Sequence, residues 1–544
     1  MRWLPCLGFV LSCLGCAGEE ARKPNGNTGA VGGSGGAGGG ASGAAGSGAS
    51  AGSGGSVSDS GIGGAPADGA AGAPSYYGSY LGGAALSDQL RGAALDQHGN
   101  TYVAGGTFTS NLAGCSGAHQ GNMDGVIARI DADGSLAWCR YVGGTGYDRF
   151  YDVAVNSLGT QVIVAGRASS GFPVTTGAWD ATFNTAQSMC AGGGYGRQDG
   201  GVCALDAATG AIAWCTYVGY SDGCDFIRTI ALDGNDDVIV GSGVVGSVQD
   251  PEYSAKFLNA PGGGQDGIVA KLAKDGGNLL WARYVGGSGD SAVEGMVAVD
   301  SLGIYYMPAW TNDPGHTIVG GFDSTYSPGA SDIYLTRLSL DGATIQYATY
   351  AGGSGNEDAG MYGVMASDTP GVVYVKVGTN SADFPTSVGA VAEARNGPSD
   401  CGVIAIDTTK TGAASFVAGT YLGGSGTDFC EGAAWVTGVG LALSGSTASL
   451  DFPGVAGGRF PAHSGSGNDG WVAILSPGLT SVVYSSYLGG AGGDDSARAI
   501  DVRGQRIAVA GTSRSTTFPV SANAHQLAFS GGAEDDAIIA ILPF

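Results

Sequence analysis

The sequence predicts an all-β fold, a seven-bladed β-propeller of four-stranded antiparallel blades, and three observations carry the prediction. A tyrosine and glycine phrase recurs from Tyr80, Tyr141, Tyr217, Tyr284, Tyr350, Tyr421 and Tyr487, at spacings of 61, 76, 67, 66, 71 and 66 residues. Each interval holds four short runs rich in β-branched and aromatic residues, bounded by Gly, Asp, Asn and Pro, with no sustained helical period. The repeats also begin with a lone outer-type run, 76–83, and finish on a third run, 537–544, that lacks a fourth. Pairing those two runs closes the ring and leaves no open sheet edge.

Before the repeats, residues 1–15 combine Arg2 with a short apolar run, the pattern of a secretory signal too short to span a bilayer. Its end, "CLGC", resembles a bacterial lipobox, which implies cleavage before Cys16 and lipid on that cysteine. Residues 16–75 include the run "GGSGGAGGGASGAAGSGASAGSGG", which cannot bury enough apolar surface to offset chain entropy and predicts a disordered tether. The expected domains are therefore signal peptide 1–15, tether 16–75 and propeller 76–544.

Within the unit from Tyr284 the runs fall at 293–300, 304–310, 333–338 and 344–353. First runs such as "RGAALD" and "ARAIDV" are small, which suits a crowded axis; last runs carry the largest side chains and belong at the rim. An aromatic precedes the repeat tyrosine by three at Trp138, Trp214, Trp281, Tyr347 and Tyr484. That odd separation places the two rings on opposite faces of the outer strand, so that each outer strand packs against neighbouring blades on both sides.

The word order "YLGGSGTD", a small-residue run, "SADFPTSVGA", "DCGVIAI" and "YLGG" resembles the SBBP family of seven-bladed β-propeller repeats across 76–544. "FP" recurs at Phe172, Phe384, Phe452 and Phe518, and the third and fourth units depart by lacking it. The resemblance implies architecture more than activity. Locally, "ALDAATGAIAW" (204–214) is similar to the tryptophan-docking motif of quinoprotein propellers, which implies a tight turn that delivers Trp214 to the space between blades.

Alternating strands put the loop after each YxGG phrase and the loop after each second strand on one face, with the long, varied loops. Two sets of aspartates belong there: Asp88, Asp148, Asp225, Asp290, Asp358, Asp428 and Asp494 after the phrase, and Asp124, Asp199, Asp266, Asp332, Asp400, Asp469 and Asp535 opening the third strand. A carboxylate ring can bind calcium, sugar or a basic partner; an Asp can equally fix a turn through backbone N–H groups, and recurrence in every blade favours that role.

Eight cysteines follow the signal, without zinc-ligand spacing, so disulfides are expected in an exported chain, Cys401 with Cys430 among them. His98, His119, His316, His463 and His525 show no zincin spacing, and no residue pattern calls for a catalytic metal or a cofactor. A net charge of −24 argues against nucleic acid and anionic headgroups. The leading expectation is a monomeric, lipid-anchored envelope propeller that binds a protein or polysaccharide through its long-loop face, touching the membrane only through its lipid. The alternatives are a polysaccharide-acting propeller hydrolase or lyase and an envelope-assembly scaffold.

Overall fold

The computed structural model describes residues 76–84, 86–184, 196–219, 225–245, 251–263, 265–291, 295–327, 330–531 and 534–544. The expected signal peptide, Cys16 and tether lie outside the described residues.

Seven antiparallel four-stranded blades form the structure, as the repeats predict. Their innermost strands, in chain order, are Asp88–Leu95, Arg149–Val155, Thr229–Leu232, Gly295–Val299, the broken pair Glu357–Asp358 and Val364–Ala366, Asp428–Val436, and Asp495–Arg503. The N-terminal strand Tyr77–Leu81 pairs with Asp536–Pro543 and supplies the outer strand of blade 7, with Tyr80 opposite Ile538. Both termini thus complete one sheet, which removes the edge that either would expose alone.

Blade 1 carries an additional short strand, Cys115–Ser116, parallel to its outer strand Leu136–Val142, and a Cys115–Cys139 disulfide ties the two. Cys203 and Cys215 bridge the third and outer strands of blade 2. Cys401 in blade 5 is joined to Cys430 in blade 6.

The aromatic pairs of the outer strands pack toward both neighbouring blades, as expected: Trp214 lies in the core shared with blade 3 and Tyr217 in the core shared with blade 1. The first ring docks on the next blade: Trp138 donates its indole N–H to the Ala207 carbonyl at 3.1 Å, and Trp214 does the same to Lys274 at 3.0 Å. The receiving turns carry left-handed glycines, Gly210 (φ 68°), Gly276 (φ 70°) and Gly342 (φ 71°), and a Cβ on any of them would run into Trp138, Trp214 or Trp281 respectively. The segment 204–214 therefore receives one tryptophan in its turn and passes its own onward.

The second ring, the repeat tyrosine, packs in the core shared with the preceding blade, and its hydroxyl bonds the long loop of its own blade. Tyr217 donates to the Ser169 carbonyl at 2.8 Å and accepts the Phe172 N–H at 3.1 Å. Tyr421 with Ser381 and Phe384, Tyr487 with Ser449 and Phe452, and Tyr80 with Ser515 and Phe518 repeat the arrangement. Each FP phrase is thus the landing point of a repeat tyrosine on the long loop of that blade. Blades 1 and 4 keep the bond without the phrase, using the N–H groups of Leu112 for Tyr141 and His316 for Tyr350.

Candidate functional site

The two sets of carboxylates meet at the blade junctions. The first glycine of each phrase, at Gly82, Gly143, Gly219, Gly286, Gly352, Gly423 and Gly489, packs so closely on an acidic side chain that an added Cβ would collide with it. At Gly423 that Cβ would stand 2.7 Å from both Asp400 and Asp428. Only glycine lets the outer strand pass between the two carboxylates.

Each carboxylate is held by donors from its own turn. Asp428 accepts the Gly424 N–H at 2.8 Å, the Ser449 hydroxyl at 2.9 Å and the Thr447 hydroxyl. Asp88 accepts from Gly83, Thr107 and Thr109, and Asp148 from Gly144 and from the backbone and hydroxyl of Ser169. On the third strands, Asp124 accepts from Gln120 and Gly121, Asp400 from Asn396 and Gly397, and Asp469 from both donors of Ser464. Asp199, Asp266 and Asp332 accept backbone N–H bonds from Asn184, Gly262 and Ser327. Asp225 is buried at its junction.

Four positions differ from the sequence reading. Asp495, not Asp494, takes the Gly490 N–H and the Ser515 hydroxyl, while Asp494 is exposed and caps Asn468. Asp536, not Asp535, takes both donors of Ser530; Asp535 pairs with Arg514 instead. In both places two acids stand side by side, and strand alternation turns only the second into the junction cradle; Asp494 is exposed, while Asp535 is buried against Arg514. Glu357, not Asp358, accepts from Gly353, Thr379 and Ser381, its longer side chain reaching the same cradle from the broken inner strand of blade 5; Asp358 caps Gly360. In blade 4, Asp290 is exposed and Ser291 fills the junction, sharing contacts with Thr311 at 3.0 Å and His316 at 3.1 Å.

Burial raises these carboxylates, more than their hydrogen bonds lower them: Asp88, Asp148 and Asp428 to about 6, and Asp332 and Asp495 to about 7. These carboxylates are held by donors of their own loops, although one oxygen each of Asp266, Asp332 and Asp495 is buried without a hydrogen-bond partner.

Chemistry that does not recur lies on the axis. The inner strands of blades 1 and 2 and the residue leading into that of blade 3 bring Arg91, Arg149 and Arg228 together, and the second strand of blade 2 adds Arg167. All four guanidinium carbons lie within 6.0 Å of the Tyr151 ring centre, Arg149 and Arg228 at 4.7 Å. Arg149 and Arg167 donate to the Tyr151 hydroxyl, Arg167 at 2.7 Å. Gln89 accepts from Arg91 and Arg149, and Gln198 from Arg167. Burial pushes the Tyr151 phenol up, but the four cations outweigh it and bring it down to about 7.

Below this cluster Tyr362 crosses the channel. The inner strand of blade 5 breaks at Ala359–Gly363, Tyr362 adopts a left-handed conformation (φ 52°), and its hydroxyl reaches the Arg91 carbonyl at 2.9 Å, the Tyr151 carbonyl at 3.1 Å and Asp152 at 2.9 Å. Lys376 supports the break, its ammonium bonding the carbonyls of Ala359 and Cys430 at 2.6 and 2.8 Å. On the far side of Tyr362 is a cavity of about 480 Å³, walled by one small residue from each of six inner strands: Ala93, Ala154, Ala231, Ala298, Ala366 and Ala434.

Sequence reasoning missed the axial residues. A signal was present: in an acidic chain, Arg91, Arg149 and Arg228 each stand within three residues of the junction carboxylates Asp88, Asp148 and Asp225 in consecutive repeats.

The fold is that of a β-propeller. No protein-family profile and no curated protein matches the chain. Among solved structures it is similar to BamB from Moraxella catarrhalis (12% identity, TM-score 0.33, 84% of this chain and 85% of that one). It is also similar to the quinohemoprotein alcohol dehydrogenase ADHIIG from Pseudomonas putida HK5 (12%, 0.36, 86% and 76%) and the Pan2 WD40 domain from Neurospora crassa (7%, 0.39, 83% and 89%).

Among the described residues no group of three or more His, Cys, Asp or Glu is arranged to hold a metal ion.

Proposed function

We propose that the chain is an extracytoplasmic binding propeller that engages an envelope protein or polysaccharide through its long-loop face. In this reading residues 1–15 direct export, Cys16 carries lipid, and 16–75 hold the propeller away from the membrane. Three disulfides among the described residues support an oxidising compartment.

One observation carries the reading: the long loops are held at both ends by repeated clamps, the repeat tyrosine and the junction carboxylate. Irregular loops fixed on a stiff scaffold make a binding face, because little order is left to impose when a ligand arrives. Repeating the clamp in every blade while the loops themselves vary is the economy of a recognition surface.

The test is binding of the purified chain to immobilised envelope polysaccharide and envelope proteins. Leu450 and Leu527 are 72% and 61% exposed in the long loops of blades 6 and 7. Retention that drops with Leu450→Asp and Leu527→Asp but not with Leu158→Asp, on the opposite face, supports the reading. Retention indifferent to both loop changes, or none at all, overturns it.

A further inference from the structure

We propose that the axial cavity beneath Tyr362 binds a small organic cation, a protonated primary amine carried on an apolar body. The site lies on the face opposite the long loops and goes beyond the reading above. At about 480 Å³ the cavity has the size of a ligand pocket rather than of a packing void. Tyr362 makes it blind, because its hydroxyl reaches the carbonyls of Arg91 and Tyr151 across the channel and closes the inner end. The way in lies between the turns that join inner and second strands, where Gln97, Asn156 and Arg503 stand.

The walls and the polar groups together specify the chemistry. Three residues before that turn, the inner strands of blades 1, 2, 3, 4 and 6 carry Ala94, Ala154, Ala231, Ala298 and Ala434, and blade 5 carries Met365. Blade 7 departs by placing Asp501 there. Small apolar side chains leave the space open and offer an alkyl or aryl body a surface to cover. The charge of the lining is one-sided: among the described residues Asp96, Asp152 and Asp501 face a single guanidinium, that of Arg503, which is exposed at the mouth.

Asp501 has acceptor capacity to spare. Its carboxylate takes the Leu95 N–H at 2.7 Å and the adjacent Val502 N–H at 2.8 Å, two donors for about four lone-pair sites. Asp152, beside the Tyr362 plug, takes the Ile230 and Val153 N–H groups and the Tyr362 hydroxyl. Burial raises both, Asp152 to about 7, and the charge of Asp501 adds to the rise at Asp152. An ammonium group relieves that repulsion and brings three N–H donors to acceptors the backbone leaves open. An apolar body in the alanine-lined space then keeps water from the pair, which strengthens it.

The experiment is calorimetric titration of the full chain at about pH 8, where Asp152 is ionised and alkylamines are protonated. The probes are hexylamine and phenethylamine, with hexanoate and hexanol as controls that keep the chain and change the head group. The expected result is one site per chain for at least one amine and none for hexanoate or hexanol. Asp501→Asn, which keeps an acceptor for the Leu95 N–H, weakens amine binding roughly ten-fold. Ala231→Leu, which leaves every carboxylate in place and fills part of the cavity, weakens it at least as much, and it decides the matter alone if Asp501→Asn does not fold. Absence of binding by both amines overturns the inference. So does equal binding of hexanoate or hexanol, or amine binding unchanged in either variant that remains folded.

Discussion

Leu479 adopts a left-handed conformation (φ 56°) in a turn position where other blades carry glycine, and the outer-strand residue facing that turn from the preceding blade is Ala418 rather than tryptophan. Elsewhere a tryptophan meets a glycine, as Trp214 meets Gly276; at this junction the large and small partners have exchanged places, and Leu479 is fully buried in one core cluster with Ala418. The junction conserves volume rather than residue type.

A double-mutant cycle tests that exchange. Ala418→Trp alone overpacks the junction and costs about 1–3 kcal/mol, while Leu479→Gly alone leaves a cavity and costs about 2–5 kcal/mol. Together they restore the arrangement of the other blades, and the double variant is expected to be more stable than the sum of the single losses by about 0.5–3 kcal/mol in denaturant titration. Additive losses would show that the two residues do not share the space.

The junction glycines make a sharper prediction. Gly423→Ala places a methyl group against Asp400 and Asp428 at once, and is expected to cost about 1–3 kcal/mol. Gly457→Ala, where nothing lies within 4 Å of the added atom, is expected to be neutral or to stabilise by up to about 1 kcal/mol through the unfolded chain. Equal effects at the two positions, measured by chemical denaturation, would remove the steric reason for the YxGG phrase.

Ring closure hangs on the N-terminal strand and is tested at Tyr80. Its hydroxyl bonds the Ser515 carbonyl and receives the Phe518 N–H, so that the first described strand holds a loop more than 400 residues away. Tyr80→Phe keeps the ring, leaves two buried backbone groups without their partner, and is expected to cost about 1–3 kcal/mol. Because the loop is fixed by that bond, hydrogen exchange at Phe518 should accelerate in the variant while exchange at Phe384, held by Tyr421, stays unchanged.

Much of this architecture is legible in the sequence because it is local. Four runs per unit, the small inner strand and the aromatic pair at a separation of three all follow from strand alternation within a single repeat. Register at Asp494 and Asp495 was not legible: adjacent acids differ only in which face they take, and the preceding loop decides that. The axial site was hidden for a different reason. Tyr362 meets Asp152 and Arg91 across 210 and 271 residues of sequence, and it does so only because its own inner strand breaks and one non-glycine residue turns left-handed. No periodicity announces a departure from the period.

The buried carboxylates set the pH dependence of stability. Asp88, Asp148 and Asp428 are pushed up to about 6, and Asp152, Asp332 and Asp495 to about 7, by burial. For each, the folded chain holds its proton more tightly than the unfolded chain does. The stabilisation is therefore complete below the unfolded value of about 4 and is lost as pH rises through 6 and 7. His316 acts in the opposite sense, since burial lowers it to about 4 and its contribution is lost as pH falls from the ordinary histidine value toward 4. Six carboxylates outweigh one imidazole, so the denaturation midpoint is expected to be higher near pH 5 than near pH 7. Tyr151 adds stability only above neutrality, because its folded value lies below that of a free phenol, and Tyr151→Phe should leave the slope between pH 5 and pH 6 unchanged. A midpoint that instead rises steadily from pH 5 to pH 7 would mean that the threonine, serine and backbone donors hold these carboxylates ionised, and that the clamps work as charged rather than protonated groups.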